Sequence, residues 1–181
     1  YLKTQLIHLN KMTENNSSLN PNSLAFIALA NEYCHALENI FDYDDRQAFI
    51  AEMLRLLPRL YMSASDIKNT DNTDSFIDSY LDENDYDTVR GNVSRMMADE
   101  DIYLEVFMDD MKYSDTPIGT SVSENLADIY QPLYNFVATV KDATDDTIAE
   151  AIIAIKADFD TYWGQTLCNV LRALHSIYYT R

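Results

Sequence analysis

Glycine is almost missing from this chain, with three residues in 181, where average usage would supply about 7%. Sheet proteins spend glycine on hairpin turns, so the scarcity argues against a sandwich or barrel. It also excludes a Rossmann turn or a Walker-type phosphate loop, which need several glycines at close spacing. The two cysteines, Cys34 and Cys168, are too few for a disulfide framework and read as reduced core thiols in a cytoplasmic protein. No apolar run reaches the roughly 20 residues that span a bilayer, and no signal-peptide core follows Tyr1. Basic charge is scarce as well. Thirteen Lys and Arg face thirty Asp and Glu, for a net charge of −17. Nucleic-acid binding rests on neutralising phosphates with Lys and Arg, so a DNA or RNA partner is excluded, and an anionic membrane surface is disfavoured. A basic protein partner suits such a field.

The residues that are present describe a folded helical protein. The chain is 47% hydrophobic and 12% aromatic, with 13 Tyr and 7 Phe, which argues against disorder. Its length suffices for one domain with a core of its own. Residues 1–21 are polar and predict a loose arm, and residues 22–181 a single all-α bundle of about five to seven helices. The first helix is predicted from Asn22 or Ser23 to Phe41, with Leu24, Ile27, Ala28, Cys34 and Leu37 at helical spacing. A second spans about 45–65 on the stripe Phe49, Ile50, Met53, Leu54, Leu57, Leu60, Tyr61 and Ala64, with Pro58 expected to kink it. Residues 66–84 are polar, and Phe76, Ile77, Tyr80 and Leu81 suggest one or two amphipathic turns. A third helix is expected over 86–98, capped by Asp85, with Val89, Val93, Met96 and Met97 inward.

Residues 101–111 fit both a strand and a helix. No partner strand is visible, and a lone strand leaves its backbone unpaired, so helix is the expectation. Pro117 and Gly119 mark a loop, and Ser121 through Glu124 reads as a capping box. The helix after it carries Leu126, Ile129, Tyr130, Leu133, Phe136, Val137 and Val140, with a bend expected at Pro132. The last helix is long, from Asp145 or Asp146 to Tyr179. Gly164 lies in its middle, where close approach of a neighbouring helix or side chain would explain it.

Candidate chemistry is sparse. Glu32 and His35 share a helix face at a spacing that suits a metal, but a di-iron bundle needs two such pairs. The other histidines, His8 and His175, lack a glutamate three residues before them. A mononuclear site of Glu32, His35 and His175 is the reading left, against a partly buried, hydrogen-bonded histidine. Fifteen of the thirty acids fall in residues 66–115 against four basic residues, yet the acidic runs lack the oxygens and glycine of a calcium loop. They read as a solvated face open to a basic partner. No serine sits in a nucleophile elbow. The stretch from Tyr162 to His175 gathers Trp163, Gly164, Gln165, Asn169, Arg172 and His175. Trp163 and Arg172 both call for polar partners when buried. An interhelical polar network is one reading. A pocket between the first and last helices is the other, using Glu32, His35, Tyr103, Glu105, Tyr130, Trp163, Arg172 and His175.

Three stretches, Asp101 to Phe107, Ser123 to Tyr130 and Trp163 to His175, together resemble an uncharacterised bacterial family of domains of unknown function, numbered 5063. The resemblance would cover most of residues 22–180 and implies a helical cytoplasmic domain with no known activity. It carries over no catalytic residue and no cofactor. The function expected from the residues is a non-enzymatic interaction module with an acidic surface. The competing expectation is a small-molecule or metal-dependent helical enzyme. An interaction module predicts an exposed apolar patch, and an enzyme a hollow where polar groups converge.

Overall fold

The computed structural model describes residues 20–68, 75–105 and 118–180, so most of the expected N-terminal arm lies outside the described residues. Helix α1 (Pro21–Glu38) opens on a proline whose fixed φ suits a first turn. Asn20 caps it, its side chain accepting from the Ser23 amide at 2.9 Å. Helix α2 (Arg46–Ser65) is capped by Asp45, which accepts from the Ala48 amide at 2.8 Å, and it continues through Pro58. Helix α3 (Glu83–Met97) starts earlier than expected, because Asp82 and not Asp85 is the cap. Helix α4 (Val122–Val140) begins at Ser121, whose hydroxyl accepts from the Glu124 amide at 3.1 Å. Helix α5 (Asp145–Asp158), a π turn (Phe159–Trp163) and α6 (Gly164–Tyr179) follow one another without a break and form the long C-terminal helix. The fold is the expected all-α single-domain bundle.

Two segments differ from expectation. Residues 75–82 form no helical turn. The amides of Tyr80 and Leu81 donate to the Asn135 side chain on α4, at 2.8 and 2.9 Å, so the backbone is satisfied from a neighbouring element and an extended strap results. Residues 102–105 are not helix either. Strand β1 (Ile102–Glu105) pairs antiparallel with β2 (Ile118–Ser121), Ile102 facing Ser121 and Glu105 facing Ile118. The missing partner stood in the stretch read as loop and cap, where Ser121 serves both as ladder residue and as helix cap. Residues 106–111, the rest of the expected helix, lie outside the described residues.

Helix α4 is the central rod, packed against α1, α3, α5 and α6, while α2 bridges α1 and α6. Its inward residues Leu126, Ile129, Leu133 and Phe136 are fully buried and meet Phe26, Tyr33, Leu37, Phe49, Leu57 and Trp163 in one cluster. The hairpin is pinned to the start of α4 by Asp101. This buried carboxylate accepts from the Ser123 amide at 2.8 Å, the Ser123 hydroxyl at 2.7 Å and the Ser94 hydroxyl at 2.9 Å. A carboxylate at a helix N-terminus also meets the positive end of the dipole.

The π turn explains Gly164. Its amide donates to the Phe159 carbonyl five residues back, and a Cβ on Gly164 would lie 2.6 Å from that oxygen and 2.8 Å from the Phe159 ring. The close neighbour is therefore a residue of the same helix, which the wider π turn brings across. Gly164→Ala is expected to destabilise the protein by about 2 kcal/mol, as overpacking does, despite alanine's better helix propensity. Urea denaturation would measure it, and an unchanged or raised midpoint would show that the turn relaxes to α at no cost.

Candidate functional site

The eight residues singled out between the first and last helices do not form one pocket. Glu32 is exposed on α1 and faces Arg59 of α2 at 3.6 Å. His35 and His175 are exposed as well, not partly buried as expected, and the His175 ring packs on Tyr179 at 4.7 Å. Among the described residues no three His, Cys, Asp or Glu side chains gather as a metal site would require, so Glu32, His35 and His175 form no common cluster. Trp163 is wholly buried between Phe26 and Phe159, with ring centroids at 6.4 and 4.7 Å. It is a core residue, and its indole N–H has no partner among the described residues. Arg172 is exposed and makes no ion pair among them. The acidic partner expected for it is not found there, since a guanidinium left in water needs none. Tyr130 is buried on α4 and donates to the Glu38 carboxylate at 2.9 Å. Burial first, and then that carboxylate, push its phenol far above the ordinary range.

Tyr103, Glu105 and Arg172 do come together. They line a hollow of about 380 Å³ between β1 and α6, with Asn169, Ser176 and Ile177. Glu105 is 9% exposed, and Asn169 donates its amide to the Glu105 carboxylate. The Tyr103 hydroxyl accepts from the Asn125 side chain at 2.6 Å. Burial, and then the Glu105 charge, hold the Tyr103 phenol above its usual range. The inner face of the hairpin is thus tied to α4 by Tyr103 and to α6 by Glu105, while Ile102 and Leu104 stay 69% and 61% exposed on the other face.

A larger hollow, about 790 Å³, runs between α1 and α4 under the strap. Leu24 and Ile27 of α1, Tyr134 and Val137 of α4 and Tyr80 of the strap give it an apolar lining, and His35, Glu38 and Lys141 also border it. Sequence reasoning placed Leu24, Ile27 and Ala28 in the core. The structure buries Cys34 and Leu37 of the expected stripe together with Phe26, Leu29, Ala30 and Tyr33, packs Ile27 partly against the core, and leaves Leu24 54% exposed. A signal for this was present. Residues 24–30 are apolar without interruption, and seven such residues surround a helix, so one side of α1 must leave a single core. Asn135, Tyr134 and the strap were missed because nothing local marks a contact across more than fifty residues.

The model of a family described as a domain of unknown function, DUF5063, matches residues 17–180. The chain belongs to this family. A crystal structure of a protein from Bacteroides fragilis is similar, with 28% identity and a TM-score of 0.76, covering 90% of this chain and 95% of that one. Comparison with curated proteins gives no match. No described helix is long and apolar enough to cross a membrane.

Proposed function

We propose that this chain is a cytoplasmic, non-enzymatic protein-interaction module that receives an amphipathic helix with a basic polar face in the groove between α1 and α4. The observation that carries this reading is the second apolar stripe of α1. Leu24 and Ala28 are exposed and Ile27 is only partly buried against the core, and with Tyr134, Val137 and Tyr80 they line a hollow of about 790 Å³. Helix-in-groove recognition uses such a stripe, anchored at steps of three and four. The charge of the partner follows from the −17 of this chain and from Glu38 on the border of the groove, since opposite potentials steer association.

The test is fluorescence anisotropy with a labelled helical peptide of leucine and lysine at heptad spacing. Saturable binding is expected, weakened at least about tenfold by the double variant Leu24→Gln, Ile27→Gln, which removes two apolar anchors at roughly 1 kcal/mol or more each. Added salt should weaken it as well. Equal binding by wild type and double variant would overturn the proposal, because the contact would then lie elsewhere on the acidic surface.

A further inference from the structure

The outer edge of β1 offers a second recognition site, independent of the groove between α1 and α4. The Val122 amide donates to the Asp101 carbonyl at 2.8 Å, which sets the phase of the hairpin ladder. Hydrogen-bonded and non-bonded pairs alternate along an antiparallel ladder. With Ile102 opposite Ser121, the bonded pairs are Tyr103 with Thr120 and Glu105 with Ile118. The N–H and C=O groups of Ile102 and Leu104 therefore point away from β2. Among the described residues they meet no backbone or side-chain partner. Ile102 and Leu104 both line the hollow between β1 and α6, with Ile177 across from them.

An open edge of this kind is a template for one more strand. Another extended backbone matches two donors and two acceptors at strand spacing, so the unpaired groups favour a strand as the occupant. We infer that β1 takes an extended peptide segment by strand addition, with its backbone paired to Ile102 and Leu104 and a basic side chain directed to Glu105. Glu105 suits that role. Its buried carboxylate lines the hollow and is held by the Asn169 amide. Among the described residues no Lys or Arg lies within ion-pairing distance of it. Buried carboxylates are ordinarily paired, and a lysine or arginine of the incoming strand would complete it. Arg172 on the opposite wall disfavours a second basic residue beside it and so sets the register.

The experiment titrates full-length protein with a fluorescein-labelled hexapeptide alternating lysine and valine, and with two analogues N-methylated at one or the other alternate set of residues. Strand addition uses the amides of every second residue. One N-methyl isomer is therefore expected to lose at least about tenfold in affinity while the other binds as the parent does. Leu104→Pro should weaken the parent peptide in the same way, because proline lacks the outward N–H and is tolerated on a strand edge. That variant should leave the leucine–lysine helical peptide bound as before, which separates this site from the groove. Three results would each overturn the inference. They are no saturable binding up to about 1 mM, equal binding of both N-methyl isomers, and competition by free lysine as strong as by the peptide.

Discussion

Trp163→Ala is expected to lower the free energy of unfolding by about 4 kcal/mol, at the upper end for a large-to-small core change. The indole is fully buried and lies against Phe26 and Phe159, so truncation removes both ring contacts and leaves a void at the junction of α1 and the π turn. The packed main chain of the turn limits collapse, because the Phe159 carbonyl and ring already crowd Gly164. Trp163→Phe should cost far less than its lost area implies. It removes the indole N–H that is buried without a partner among the described residues, and relief of such a group offsets about 1–3 kcal/mol. Since Trp163 is the only tryptophan, the comparison calls for urea melts followed by far-ultraviolet circular dichroism, not by fluorescence. A loss below about 1 kcal/mol for the alanine variant would show that the neighbours close the void.

Asp101→Ala carries the second large effect, about 3 kcal/mol. Three donors converge on this carboxylate: the Ser123 amide and the hydroxyls of Ser123 and Ser94. Its removal strands a buried amide at the start of α4 and cuts the link from α3 to the hairpin. Leaving a buried donor unpaired costs more than the net worth of the bond it made. Asp101→Asn keeps the shape but turns an NH₂ toward donors, so it should fall between wild type and alanine. The Asp101→Ala and Ser123→Ala pair, measured as a double-mutant cycle, should be strongly non-additive, because each variant removes the same contacts. Additive costs would mean that Ser123 is satisfied elsewhere.

Both effects come from groups whose roles were only half legible in the chain. Ser121 reads plainly as a cap, since serine followed three residues later by glutamate is a local pattern. Asp101 does not, because its partner Ser123 lies 22 residues on and belongs to another element. Stripes that face a single core were equally legible. Val89, Val93 and Met97 on α3, and Leu126, Ile129, Leu133 and Phe136 on α4, are all buried as their spacing predicts. On α1 the stripe was right at Cys34 and Leu37 and wrong at Leu24 and Ala28, because these have helical spacing just as Phe26, Ala30 and Tyr33 do. Periodicity reports that a face is apolar and says nothing of what it meets.

The candidate sites show the same division. Glu105, Tyr103 and Arg172 were named from the sequence, and they share the hollow beside β1. Glu32, His35 and His175 were named on spacing and residue type, and they stand exposed and form no common cluster. The edge of β1 could not be foreseen, because a strand exists only with its partner, and Ile118–Ser121 had every mark of a turn leading into a helix.

What the sequence by itself determined is the helical class, the Ser121 cap, the acidic character and the long C-terminal helix. Each of these rests on interactions within about four residues or on composition alone. Tertiary structure alone decided which apolar residues at the start of α1 face the core, that residues 102–105 pair as a strand, that the strap hangs from Asn135, and that Gly164 yields to Phe159 across a π turn. These depend on contacts between residues distant in the chain, or on a backbone choice that packing imposes, and neither leaves a local pattern to read.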